Sequence, residues 1–192
     1  SFNQDISGWD TSSAVSMGVM FQQNSAFNQN IGAWDVSSVT SMASMFSGCS
    51  SFNNGSSNAI KDWDTGEVTN MSTMFNSCSA FNQPLTNWDT SKVTTMYRMF
   101  IGSGFNNTCA SWDVTSVTTM ESMFESSSFN QDITSWVPSS VLTTSMMFYS
   151  NTAFNQAING WNVGAVTNMS YMFYNADGFN QDISSRDVSS VT

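Results

Sequence analysis

The sequence predicts an α/β solenoid of about 25 residues per coil, with one short parallel strand and one short helical segment in each repeat. Three observations predict it. A Phe-Asn pair recurs at Phe2, Phe27, Phe52, Phe81, Phe105, Phe129, Phe154 and Phe179, at intervals of 25, 25, 29, 24, 24, 25 and 25 residues. A Trp follows in step at Trp9, Trp34, Trp63, Trp88, Trp112, Trp136 and Trp161. Within each unit, a short Phe-to-Ile stretch gives way to apolar residues at helical spacing. A fixed period of this length is the signature of coils that bury a continuous core only by stacking.

Each element follows from its residues. In "FNQDI" the Phe and Ile lie four apart with polar residues between them, which suits a strand with inward side chains at every second place. "WDVSS" then reads as a turn. The run Val39, Met42, Met45 and Phe46, spaced i, i+3, i+6, i+7, places four apolar groups on one face of a helical or 3₁₀ segment. Strand, turn, helical segment and return within this length match the size of a leucine-rich-repeat coil. Stacking at about 4.8 Å per coil would give a length of roughly 35 to 40 Å. The one long interval is explained by extra residues around Gly55, Ser56, Ser57 and Asn58, a turn-rich insertion expected to bulge from an edge. The chain therefore reads as a single repeat solenoid over residues 1–192, about 7.5 repeats, opening and closing part-way through one. That pattern suggests a piece of a longer protein.

Composition narrows the function. With 40% apolar residues the chain can fill a core, and its net charge of −10 comes from 14 acidic residues against only 4 Lys and Arg. So few cations argue against nucleic acid as a partner, because phosphate neutralisation needs them. No apolar run approaches the roughly 20 residues of a membrane span. The 14 Met need no metal, since a flexible thioether fills the gaps between slightly irregular coils. Without His, Ser-His-Asp and Cys-His chemistry are excluded within these residues. Asp62, Asp64 and Glu67 carry no acid/base signature, and Glu121 and Glu125 read as exposed helix neighbours. No catalytic residue, cofactor site or metal site is assigned.

Polar columns supply the candidate surface. Asn28, Asn53, Asn82, Asn106, Asn130 and Asn155 recur after Phe, and stacked amides could donate to one neighbour and accept from the other. The Gln or Asn that follows each of them should turn inward by strand alternation. Asp35, Asp64, Asp89 and Asp113, with Asp10 and Asp187, follow the Trp column and would repel one another at close spacing. Backbone N–H bonds in the turn and at a helical N-terminus would compensate. Calcium bridging adjacent carboxylates is the alternative, although no D-x-D-x-D loop is present. A Thr column at Thr40, Thr69, Thr94, Thr118, Thr167 and Thr192 raises an ice-binding alternative, and the strand face a glycan-binding one.

Cys49 and Cys78 each lie three places before a column Phe in neighbouring coils and form a candidate disulfide in an oxidising compartment. Cys109 replaces a strand Ile and should be buried and inert. Sequons begin at Asn54, Asn70, Asn106 and Asn168, as chance alone provides in a chain this rich in Asn and Ser, and Asn54, in the insertion, is the leading candidate among them.

"FNQDISGWDTSS" and "FNQPLTNWDTSKVTTMYRMF" resemble the mycoplasma-lipoprotein-type surface repeat of unknown function, a family similar to the BspA-like leucine-rich repeats. The resemblance covers essentially the whole chain. It weakens at "WVPSSVLTTSMMF" and at Arg186, where the Asp and the Trp of the motif are missing. What it implies is a right-handed, non-catalytic, extracellular or cell-surface module for adhesion, protein recognition or structural assembly. The expected partner is a protein or a glycan, or neighbouring subunits through the solenoid ends.

Overall fold

The computed structural model describes all 192 residues. Successive repeats lie on one another as coils, numbered here from 1 to 8 and beginning at residues 1, 26, 51, 80, 104, 128, 153 and 178. The register is fixed by backbone hydrogen bonds between equivalent residues of adjacent coils. Met17, Val19, Phe21 and Gln23 donate N–H to the carbonyls of Ser41, Ala43, Met45 and Ser47. The same four donors recur at each of the next five interfaces, for instance Met96, Arg98, Phe100 and Gly102 to Thr119, Glu121, Met123 and Glu125. A column of returning bonds runs the other way, from Thr40 to Val15, Thr69 to Thr40 and Thr94 to Thr69. Together they leave single-residue parallel bridges from Ser16 through Ser41, Asn70, Thr95, Thr119 and Thr143 to Asn168.

The secondary structure differs from the expected strand and helix. No α-helix and no extended strand is present, and the regular elements are two short 3₁₀ turns at Asn54–Ser56 and Asn58–Asp62, both within the insertion. The segment expected to be helical is a chain of tight turns instead. Met20 N–H bonds to Met17 C=O, Gln22 to Val19 and Asn24 to Phe21. Two residues of each such segment have positive φ: Val19 and Gln23 in the first coil, Ser122 and Ser126 in the fifth, Tyr171 and Asn175 in the seventh. A left-handed residue after a right-handed one reverses the peptide between them, so alternate peptide groups point along the stack and bond to the next coil. A continuous helix would keep those groups within the segment.

The core nevertheless holds the residues the spacing selected. Val39, Met42, Met45 and Phe46 are fully buried, as are their counterparts in coils 3 to 5. A single cluster of 47 buried residues runs from Ile6 to Met172. Three aromatic files thread it. Phe27, Phe52, Phe81, Phe105, Phe129 and Phe154 stack at 5.7 to 6.4 Å between ring centroids. Phe46, Phe75, Phe100, Phe124 and Phe148 stack at 5.5 to 5.8 Å. Where one coil passes into the next the two files meet face to face at about 4 Å, as in Phe46–Phe52 at 3.9 Å. Such pairs contribute about 0.5–1.5 kcal/mol each beyond their buried area.

The Trp file adds a directional bond. The indole N–H of Trp34 donates to Ile6 C=O at 3.1 Å, Trp88 to Ile60 at 2.9 Å and Trp136 to Cys109 at 3.0 Å, each reaching back one coil. Arg186 occupies the last position of this file and donates Nη2 to Ile158 C=O, the bond a Trp would make there. The file therefore continues through the substitution, with a guanidinium as donor.

Candidate interaction surface

The Asn column is a ladder, built differently from the amide-to-amide expectation. Each side-chain oxygen accepts from the backbone N–H of the next Asn: Asn28 from Asn53 at 2.8 Å, Asn53 from Asn82 at 3.0 Å, and Asn106 from Asn130 and Asn130 from Asn155 at 2.9 Å. The same oxygen takes the neighbouring Gln or Asn side chain, as Gln83 Nε2 on Asn53 and Asn107 Nδ2 on Asn82, both at 2.9 Å. The ladder uses only the oxygen of each column Asn. Asn54 alone leaves this pattern: Gly55 N–H takes its place on Asn28 Oδ1, while Asn54 turns inward to accept from Ile31 N–H and donate to Ser57 C=O. Asn54 is fully buried, which corrects its selection as the leading sequon. The expectation of inward Gln is met in degree only, since Gln29, Gln131 and Gln156 are half-buried.

The Asp column forms a series of side-chain-closed turns. Asp35 Oδ1 accepts Ser37 N–H at 3.0 Å and its hydroxyl at 2.7 Å. Asp113 takes Thr115 in the same two ways, and Asp64 and Asp89 take the N–H of Gly66 and Ser91. These donors hold the Asp10, Asp35, Asp89 and Asp187 carboxyls below the ordinary Asp value. The compensation expected from turn N–H groups is thus present, without a helical N-terminus. No three acidic or Cys side chains converge in a way that could hold a metal ion. In the Thr column, Thr40, Thr69, Thr94 and Thr118 are exposed, and each hydroxyl donates to the preceding coil's carbonyl at 3.0 to 3.2 Å.

Cys49 and Cys78 are free thiols, correcting the candidate disulfide. Each points along the stack to a carbonyl one coil back, Cys49 to Phe21 and Cys78 to Phe46, so neither sulfur is aimed at the other. Burial pushes the Cys49 thiol up to about 11 and the Cys78 and Cys109 thiols further in the same direction.

With the repeated polar groups bonded to their own scaffold, variation concentrates on the outer side of the turn segments. In coils 2 and 3 the outward positions hold small residues, Ala43, Ser44, Ser72 and Thr73 among them. In coils 4 to 7 the equivalent positions carry Tyr97, Arg98, Glu121, Glu125, Met146, Tyr149, Tyr171 and Tyr174, including every Tyr of the chain. Glu121 and Glu125 are half-buried on this turn face, where sequence spacing placed an exposed helix. The Arg98 guanidinium sits 5.0 Å from the centre of the Tyr97 ring. An open groove of about 520 Å³ is lined by Glu125, Met146, Tyr149, Tyr171 and Tyr174. Of these residues only Met146 falls in a stretch, 137–147, whose departure from the repeat marks it in the sequence; the others come from separate coils and are found by comparing coils position by position for large residues among small ones.

Comparison with known families completes the description. The family model described as Mycoplasma protein of unknown function, DUF285, matches residues 1–59, 54–144 and 102–192, which together span the chain. The chain belongs to the DUF285 family. The family carries no assigned activity, and its three overlapping matches agree with the repeat read from the Phe-Asn spacing. Neither a curated protein nor a solved structure matches the chain. No helix is long and apolar enough to cross a membrane.

Proposed function

We propose that this DUF285 chain is a non-catalytic recognition module: a solenoid scaffold, akin to leucine-rich-repeat coils, presenting one decorated face to a partner outside the cell or on its surface. The observation carrying this reading is the division of labour among side chains. Repeated residues, from the Asn ladder to the Trp file, bond to their own neighbours, whereas the large outward residues of coils 4 to 7 break the repeat and have few internal partners. Tyr149 and Tyr174 stack on one another across two coils, but the three Tyr of the groove and Arg98 stand outside the buried aromatic files of the core. Exposed aromatic side chains that need not be exposed mark a binding surface.

The test is a resurfaced variant in which Tyr97, Arg98, Met146, Tyr149, Tyr171 and Tyr174 take the coil 3 residues of their own columns, Ser72, Thr73 or Asn76. Both proteins are probed against arrays of defined peptides and glycans. The expected result is wild-type binding that the resurfaced protein loses while keeping its circular dichroism spectrum. Binding that survives resurfacing, or no binding by either protein, overturns the reading.

A further inference from the structure

Resting on that reading, the groove across coils 5 to 7 allows its ligand chemistry to be named. Tyr149 and Tyr174 are stacked with centroids 5.0 Å apart and planes 14° from parallel. Tyr171 meets Tyr174 edge-on at 6.0 Å and 75°, so their rings form two walls at a steep angle. Tyr149, with a coil on each side of it, is half-buried and keeps part of its ring on the groove. Glu125 lines the same groove, and its carboxylate makes no ion pair: the chain's two salt bridges are Lys61–Asp62 and Lys92–Glu67. Met146 also lines the groove and adds a polarizable apolar surface.

We infer that this groove binds the Lys or Arg side chain of a basic segment in a partner protein. Ring faces attract cations through their quadrupole, and converging aromatic walls with a carboxylate suit an ammonium or guanidinium group. The same face already holds one such pair internally, Arg98 beside the Tyr97 ring. No Lys or Arg lies over the rings of Tyr149, Tyr171 or Tyr174, although Arg186 lines the adjoining pocket of about 420 Å³ with Tyr171 and Tyr174. Each of the four basic residues has a partner within the chain: Lys61 and Lys92 in the ion pairs, Arg98 at Tyr97 and Arg186 on Ile158 C=O. The net charge of −10 draws a basic segment towards the molecule, and the groove supplies local selectivity.

Titration of the intact chain, carrying ¹³C-labelled Tyr rings, with a hexa-arginine peptide tests this by calorimetry and NMR. Hexaglutamate and cellohexaose serve as comparison ligands, and tetramethylammonium as the bare cation. The expected result is saturable hexa-arginine binding, with tetramethylammonium shifting the Tyr149, Tyr171 and Tyr174 resonances. Glu125→Gln should weaken peptide binding about 5-fold and Tyr171→Ala about 10-fold. Glu67→Gln, which removes the same charge from coil 3, should leave it unchanged. If Tyr171→Ala does not fold, Glu125→Gln and the tetramethylammonium shifts on the unaltered chain decide the matter. Equal weakening by Glu67→Gln would reduce the effect to general polyanion attraction and overturn the inference, as would absence of peptide binding or ring shifts caused by cellohexaose instead. An array ligand of other chemistry that still requires the decorated face would sink the cation assignment alone and leave the recognition reading standing.

Discussion

Asn82 illustrates how a single atom holds two coils together. Its Oδ1 receives Asn106 N–H and Asn107 Nδ2, both at 2.9 Å, while its own Nδ2 has no partner within the chain. An acceptor-only role makes carboxamide and carboxylate interchangeable here. Asn82→Ala is expected to cost about 1–2 kcal/mol, because a backbone N–H and a side-chain amide lose their acceptor. Asn82→Asp keeps both bonds and should stay within about 0.5 kcal/mol of the parent by the same reasoning. Urea denaturation midpoints measured at neutral pH separate the two; equal losses would restore the stacked-amide picture. The column was legible as structural in the sequence, because it recurs in every copy. Which of its two polar atoms is used depends on where the next coil places its N–H, and the spacing of residues along one coil does not contain that position.

The turn segment shows the limit of periodicity at the level of the element. Met17, Phe21 and their counterparts fall inward at the spacing of a helical stripe, so the apolar pattern alone cannot distinguish a helix from linked turns that also return every three to four residues. The difference lies in the sign of φ at two positions per coil. Gly48 and Gly102 mark one of them, at +78° and +60°, but most coils place Ser, Asn or Gln there, which conceals the requirement. Left-handed φ costs a non-glycine residue roughly 1–2 kcal/mol. Ser126, exposed with φ of 54° at this position, offers the test. Ser126→Gly is expected to stabilise the chain by about 0.5–1 kcal/mol, relief of strain outweighing the added freedom of the unfolded chain. At this chain length that raises the melting temperature by about 1–4 °C in a thermal scan. A helical segment would respond in the opposite direction, since glycine in a helix interior is destabilising.

For the molecule as a whole, pH is the variable that acts on many coils together. Asp10, Asp35, Asp89 and Asp187, and Asp5, Asp132 and Asp182 at another turn position, all have carboxyls held below the ordinary value of 3.8 by Ser or Thr donors two residues on. A folded value below the unfolded one stabilises the ionised, folded chain at higher pH. That contribution is complete above the unfolded value and is lost as pH falls through about 3.8 and then through the lower folded values. The urea midpoint should therefore hold from pH 7 to 5 and fall towards pH 3, and combined Ser12→Ala, Ser37→Ala and Ser189→Ala changes should shallow the fall. A midpoint independent of pH over that range would remove the turns from the account of stability.

By itself the sequence determined the repeat length, the coil register and the residues of the core, because each depends on identity and spacing along the chain. Only the tertiary structure decided that the apolar stripe belongs to turns, that Arg186 donates where Trp would, that Asn54 and the thiols are buried, and that tyrosines from different coils share one groove. Those outcomes depend on which groups of neighbouring coils meet. A period of 25 residues brings equivalent positions together, but the direction of each peptide and side chain is set by the hydrogen bonds available from the coil above and the coil below.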